Sequence, residues 1–495
     1  MGLENQFLMK NAEEAINQRR WFILFNVVLM TFMSCLDSSI VNVALPVMAN
    51  KLWATMAAIE WVINSYLIVV AATILIYGRL GDIKGKTKIF KFGIVLFTSG
   101  SLLCGISSSL TVLVIARVIQ ALGAAATMAT SQGIITHVFP GHERGRALGI
   151  SGTAVALGTM VGPPLGGIII AAFSWHYIFL INIPIGIFAS IIGQRIFPDD
   201  SRANHESLDL LGAILFTVAV VLLFGCLTQA QTVGLYHPGI IAGFFIALVA
   251  LAAFIVVEKR VATPLLYLPI FKNQLFSLSL FCGFISFIAI SCPNIIHPFY
   301  LEDVKKLSPE ITGFFMMVYP LVLAVVAPVS GYLSDKIGSE FLTFLGLIFT
   351  SIGLFLMSSL TEFSSLWLMA LFLAALSIGN GLFQSPNNSL IMSTVPRSKL
   401  GIAGGINALV RNLGMVVGIT LSTTLLYDRM SSKLGRRVVD YVPGHDDAFI
   451  YGMRYVYITA GIICLVGAGL TAYRLYGRGK TADSADLEME AAKED

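Results

Sequence analysis

Apolar residues run through this chain in long blocks, each ended by a short polar or charged stretch. A bilayer-spanning helix needs roughly 20 mostly apolar residues. Fourteen blocks meet that length, at 21 to 45, 58 to 78, 89 to 107, 111 to 135, 146 to 172, 176 to 196, 209 to 229, 239 to 257, 276 to 301, 312 to 333, 341 to 360, 364 to 393, 401 to 427 and 449 to 475. The pattern predicts an all-α membrane protein. Lys and Arg set its orientation, because cytoplasmic loops retain them. With the N-terminus inside, about two-thirds of the 32 Lys and Arg fall in inside segments, Arg19, Arg20, Lys84, Lys86, Lys88 and Lys91 among them. An even number of spans then returns the C-terminus to the cytoplasm.

Composition narrows the class further. With 495 residues, 56% hydrophobic, 12% charged and a mean hydropathy of +0.82, the chain is too apolar for a soluble globular protein. The net charge of +4 is small and its basic residues sit at span ends, which argues against a nucleic-acid partner. All six cysteines lie inside apolar blocks with no Cys-x-x-Cys and no His cluster, so neither a disulfide framework nor a metal site is expected. The first 20 residues are polar and end in Arg19-Arg20, and the block behind them continues past any small-residue cleavage site to Asp37. That reads as a retained first span, not a signal peptide.

A short pattern occurs twice, as Gly78-Arg79-Leu80-Gly81-Asp82-Ile83-Lys84-Gly85 and Gly331-Tyr332-Leu333-Ser334-Asp335-Lys336-Ile337-Gly338. Both copies fit Gly-x-Leu-x-Asp-x-x-Gly, the trace of a duplication. They stand farther apart than the roughly 180 to 200 residues that six spans with short loops require. The excess holds two further helices, the blocks at 209 to 229 and 239 to 257. The expected organisation is a cytoplasmic segment over 1–20, a six-helix bundle over 21–197, a linker with two inserted helices over 198–275, a second six-helix bundle over 276–476 and a disordered cytoplasmic tail over 477–495. Gly85-Lys86-Thr87 ends like a phosphate-binding loop, but Leu80 occupies the position of that loop's first glycine.

The doubled pattern resembles the signature loop of the major facilitator superfamily, and the remaining motifs resemble its fourteen-span drug:proton antiporter family. Gly149, Gly158, Gly162-Pro163 and Gly166-Gly167 fit the spacing G-x8-G-x3-GP-x2-GG of that family's antiporter helix. Leu36-Asp37-Ser38-Ser39-Ile40-Val41-Asn42-Val43-Ala44-Leu45-Pro46 resembles its first-helix signature, and Leu113 to Gly123, with Arg117 and Gln120, its fourth-helix motif. Trp175 to Gly186 resembles its sixth-helix entry. The resemblance implies two six-helix bundles, proton-driven export of hydrophobic or amphipathic compounds, and Asp82, Lys86 and Asp335 with their flanking glycines as cytoplasmic gating loops. It implies no cofactor beyond a proton gradient, and a monomer in a prokaryotic plasma membrane.

Residue chemistry bears on these expectations independently. A carboxylate within an apolar span costs roughly 2.5 to 3.5 kcal/mol on insertion scales, so Asp37 is a candidate proton carrier as its surroundings alternate between wet and dry. The competing reading is a structural carboxylate satisfied by Ser38, Asn42 or a neighbouring helix. Arg117 cannot lose its proton and would bias a carboxylate's titration, or else would neutralise backbone carbonyls at a span end. Asn42, Asn64, Tyr66, Gln120 and His297 are candidates to line a cavity. Glu60 reads as a solvated residue at the outer surface. Asn64 stands where cation exporters of the family can carry an acid, and span 13 has no carboxylate before Asp428, which argues against a second buried acid for cations. The alternatives are export of a lipid or metabolite without proton coupling and, from another class, an intramembrane enzyme or receptor. No catalytic constellation supports the latter.

Overall fold

The computed structural model describes residues 2–140, 143–197, 208–234, 236–261, 263–395 and 400–494; the side chains of residues 2–18, 144, 145, 148, 149, 156, 335, 400, 401 and 476–494 lie outside that description. Fourteen helices among the described residues are long and apolar enough to cross a membrane. They are α1 (Arg19–Lys51), α2 (Met56–Lys84), α3 (Lys86–Gly105), α4 (Leu110–Val138), α5 (Ile150–Ala172), α6 (Tyr177–Ile196), α7 (Leu210–Val233), α8 (Pro238–Glu258), α9 (Gln274–Val304), α10 (Pro309–Ser334), α11 (Ser339–Met357), α12 (Leu366–Ser393), α13 (Ile402–Leu434) and α14 (Asp446–Leu475). Beyond α14 the backbone stays helical to Glu494, where the sequence predicts disorder. The Ala, Glu, Leu and Met there are good helix formers and extend a helix already nucleated in α14.

Local chemistry sets many of the ends. Ser109, Asp209, Asn273 and Ser365 each accept a backbone N–H of the helix they precede, at α4, α7, α9 and α12. The two motif copies end in the same turn. Gly85 has φ 104° and ψ 129°, and Gly338 has φ 92° and ψ 136°. Only glycine adopts that backbone without strain, which accounts for the last residue of the repeat in both halves.

Packing follows the duplication. In the first half α1 lies on α5, α3 on α4, and α2 on α4; in the second, α9 lies on α13, α11 on α12 and α14, and α10 on α12. The halves meet along α2 with α13 and α5 with α10. Alternation through the spans puts the Gly85 and Gly338 turns on the face that also carries Arg19, Arg20 and Arg474; the opposite ends form the far face. The inserted α7 and α8 are the most apolar of the fourteen and are largely unburied, as lipid-facing helices should be. They pack on each other, and α7 also leans on α2 and α13 at the seam between halves.

Candidate functional site

The seam encloses a small cavity at mid-depth, lined by Ser38 and Asn42 of α1, Tyr66 of α2, Arg117 of α4, Ser291 and Asn294 of α9, and Met415 and Ile419 of α13, among others. Its volume is ≈ 30 Å³, room for a water or two. The halves touch on both sides of it. On the far face a Cβ at Gly167 would come within 2.4 Å of the Pro309 carbonyl oxygen, and one at Gly313 within 2.3 Å of that of Pro163. Toward the face with the termini, a Cβ on Gly404 of α13 would sit 2.7 Å from Oε1 of Gln132 in α4. A substrate-sized volume at this position therefore requires the halves to part.

Beside the cavity lies a charged pair with no exposure. Asp37 and Arg117 are 0% and 1% exposed, and Arg117 Nη1 donates to Asp37 Oδ2 at 2.6 Å. Asp37 Oδ1 accepts from Gln120 Nε2 and from Asn182 Nδ2, each at 2.9 Å. Arg117 Nε donates to the Val62 carbonyl at 2.9 Å, and its Nη1 also reaches Gln120 Oε1 at 2.6 Å. Ser101 Oγ closes the network, accepting from Gln120 Nε2 at 2.8 Å and Asn182 Nδ2 at 3.3 Å while donating to the Phe97 carbonyl. The guanidinium lies over the Tyr66 ring at 4.3 Å and nears the Phe179 ring at 5.6 Å. Five helices, α1, α2, α3, α4 and α6, thus meet in one network around this carboxylate. Burying two charges is tolerable only with this degree of pairing and hydrogen bonding.

The glycines of α5 explain how α1 carries Asp37 so close. A Cβ at Gly158 would meet the Phe32 carbonyl at 2.7 Å, one at Gly162 the Ser39 hydroxyl at 1.8 Å, and one at Gly166 the Ile40 side chain at 2.7 Å. These positions flank Asp37 along α1. Ser39 Oγ also donates to the Gly158 carbonyl at 3.1 Å. Gly167 and Pro163 face the other way, onto α10 of the opposite half. One helix therefore presses on the Asp37 helix and on the second half together.

Other residues singled out from the sequence fall elsewhere. Asn42 and Tyr66 line the cavity, and Gln120 sits in the Asp37 network. Asn64 instead faces the inserted helix α7, its Nδ2 3.4 Å from Thr228 Oγ1. His297 is buried within the second half, 5.9 Å ring to ring from Tyr457. In the first gating loop Lys86 Nζ holds Asp82 Oδ1 at 2.6 Å, and the Lys86 stem fills the space above Gly133. Gly81 lies close to Thr130, Gly331 close to Ser385, and a side chain on Gly78 would meet nothing within 4 Å. Gly149 and the Asp335 side chain lie outside the described residues.

Sequence reasoning passed over Asn182, Ser101, Ser291 and Asn294 as site residues. A lone amide in an apolar span, as at Asn182, was the available signal. The solvated reading of Glu60 is corrected: it is 0% exposed, accepting from Gln231 Nε2 of α7 at 3.3 Å and bonded to the Thr423 hydroxyl of α13. The second half and α7 fold over it, which the flanking sequence of α2 alone does not reveal.

Comparison with known proteins agrees with this architecture. A profile described as Major Facilitator Superfamily matches residues 27–419, and again 279–493. The chain is 35% identical to the riboflavin transporter RibZ of Clostridioides difficile, across 92% of this chain and 98% of that one. It is 30% identical to the multidrug resistance protein Stp of Mycobacterium tuberculosis, across 86% and 80%. It is also 30% identical to the tetracenomycin C resistance and export protein of Streptomyces glaucescens, across 84% and 77%. In fold it is similar to a crystal structure of a bacterial homolog of the human lysosomal transporter Spinster, with a TM-score of 0.64, 15% identity, and 92% and 96% of the two chains covered.

Proposed function

The chain belongs to the Major Facilitator Superfamily, and from that premise we propose that this membrane transporter exports small hydrophobic or amphipathic molecules in exchange for protons. The observation that carries the reading is the Asp37–Arg117 pair, buried at mid-depth beside the cavity between the halves. When the cavity wets, a proton can reach Asp37. Protonation removes the charge that Arg117 holds, frees the guanidinium toward the cavity and Tyr66, and loosens α1 from α4. Because α5 has no slack against α1 or α10, that displacement passes to the seam, and the halves rock. Release of the proton on the other side restores the pair. We place both termini and the two glycine turns in the cytoplasm, with the far face outside, on the distribution of Lys and Arg.

A second reading has its own support. The cavity lining is mostly apolar, with Ile63, Leu67, Ile295, Met415 and Ile419, and its polar groups Ser38, Asn42, Ser291 and Asn294 are uncharged, leaving Arg117 as its charge. Such a lining suits a neutral or weakly acidic ring compound better than an organic cation. The relative that transports riboflavin, 35% identical over nearly the whole chain, favours a metabolite of that kind. One experiment addresses both. Proteoliposomes loaded with a pH dye would receive a panel of amphipathic cations, neutral drugs and riboflavin, with wild type and Asp37→Asn compared. Substrate-evoked proton flux that disappears in Asp37→Asn supports exchange through Asp37, and the active compound names the class. Substrate uptake with no proton flux, equal in the two proteins, would refute proton exchange.

A further inference from the structure

We propose that Glu60 is a proton-binding site separate from the Asp37–Arg117 pair, a latch whose protonated carboxyl holds the far-face gate shut. Glu60 belongs to α2 of the first half, and its partners Thr423 of α13 and Gln231 of α7 belong to the second half and the inserted pair. The Thr423 hydroxyl carries one hydrogen. It is already within 2.8 Å of the Ile419 carbonyl one turn back, the usual bond of a threonine in a helix. If that bond stands, the contact between Thr423 Oγ1 and Glu60 Oε1 requires the hydrogen to come from Glu60. A neutral carboxyl completes the chain: Glu60 donates to Thr423, and Thr423 donates to Ile419. An ionised one leaves a carboxylate without a charged partner in a fully buried position.

The surroundings agree. No Lys, Arg or His is bonded to Glu60 among the described residues. A titratable neighbour on α13 is Tyr427, whose hydroxyl is directed at Met56 Sδ at 2.9 Å. Asp440, from the loop after α13, and Asp303, at the end of α9, also act on Tyr427, so the further titratable groups on that side are acids and not bases. On α7, Gln231 and Thr228 are amide and hydroxyl. Gln231 Nε2 donates both to Glu60 Oε2 and to the Thr420 carbonyl, each at 3.3 Å, so the amide is held as a donor and the Thr423 oxygen is the acceptor for the proton of Glu60. A far-face cavity of ≈ 510 Å³ reaches Thr423 and Gln231, bordered by Asp428, Arg436 and Arg437, and gives protons a path from the far-side water to the latch.

Closing the gate therefore takes up a proton, and ionising Glu60 opens it, so acid outside favours the closed gate. The inference rests on the proposed orientation but not on proton exchange through Asp37. The test places a cysteine at Met415 on the central cavity and measures its reaction with a membrane-impermeant maleimide added outside, less that of the parent protein, without substrate or gradient. Met415→Cys and Met415→Cys/Glu60→Gln are compared across about pH 5 to 9; their ratio cancels the thiol's own titration. The ratio should rise by up to about tenfold per pH unit over the range where Glu60 titrates, the slope of one linked proton. Glu60→Asp, which keeps a titratable group, should retain a pH response at a displaced midpoint, and the response should persist in Asp37→Asn. A flat ratio would overturn the latch. So would a pH response lost in Asp37→Asn, because the gate would then follow Asp37. Substrate-evoked proton flux that fails in wild type while this ratio still rises would remove proton exchange and leave the latch standing.

Discussion

Separating Asp37 from Arg117 should be costly, and removing both should be much less so. Breaking a buried ion pair by removing one partner typically costs about 3 to 5 kcal/mol, because a charge is left buried and uncompensated. Two features of this site place the single variants near the lower end. In Asp37→Asn the guanidinium keeps the Val62 carbonyl and the Tyr66 ring at 4.3 Å, the latter worth about 2 kcal/mol or more when desolvated. The new amide also has somewhere to go. Asn182 Oδ1 has no partner, so the Asn182 side chain can turn over and accept from the amide that replaces the carboxylate. In Arg117→Gln, Asp37 keeps its two amide donors, Gln120 and Asn182, each bond to a charged group being worth about 1.5 to 3 kcal/mol. Each single variant should therefore lose roughly 3 kcal/mol.

Asp37→Asn/Arg117→Gln forfeits the bond to Val62 and the guanidinium's place over the Tyr66 ring, but it buries no charge and is spared the desolvation of both ions, so it should lose only about 2 kcal/mol. The difference from additivity is then on the order of 4 kcal/mol. Unfolding free energies in mixed micelles, by titration with denaturing detergent, measure all three. A double variant whose loss equals the sum of the singles within about 0.5 kcal/mol would show that the two groups do not depend on each other, and the proposed switch would fail with it.

Other consequences are smaller and equally specific. Gly85→Ala and Gly338→Ala should each destabilise by about 1 to 3 kcal/mol, because both turns hold φ near 100°, whereas Gly78→Ala should fall within about 0.5 kcal/mol; thermal unfolding of the three variants checks the contrast. Gly167→Ala should force α5 from α10 at the Pro309 carbonyl at a cost of about 1 to 3 kcal/mol, and spin labels on the far ends of the two helices should report a wider separation. Asn182→Ala leaves Asp37 with one donor fewer on Oδ1, so proton exchange should persist with a shifted pH profile, unlike Asp37→Asn. His297→Phe replaces a ring whose Nε2 has no partner, so stability and proton flux should stay near wild type.

The spans were legible because the bilayer imposes a length and an apolar content that few other environments demand. Each helix of the structure overlaps a block read from hydropathy alone. The helix ends were less legible: α1 continues through Pro46 to Lys51, and α2 steps at Glu60. Neither detail alters the apolar count of a window. The repeated glycine at positions 85 and 338 could be read as a turn because its backbone demand is local. What Gly78 touches could not, since that depends on which helix lies across from it.

The same distinction divides the polar residues. Asp37 and Arg117 announced themselves because each is a charge in an apolar span, where insertion alone demands a partner. Asn182 and Ser101, which complete the pair, carry no charge, and an amide or hydroxyl in a span can be satisfied by many neighbours, so the group they serve appears only when α3 and α6 are brought beside α1. Glu60 is the instructive failure. A carboxylate at the edge of a span, beside Trp61, is what an interfacial residue looks like. Its burial is made by Thr423 and Gln231, far along the chain, and by a seam that need not stay closed throughout transport. A group that is solvated in one conformation and buried in another leaves an interfacial pattern in sequence. For that reason, edge-of-span carboxylates at the contact between two moving halves are where a reading from hydropathy alone is least able to tell surface from gate.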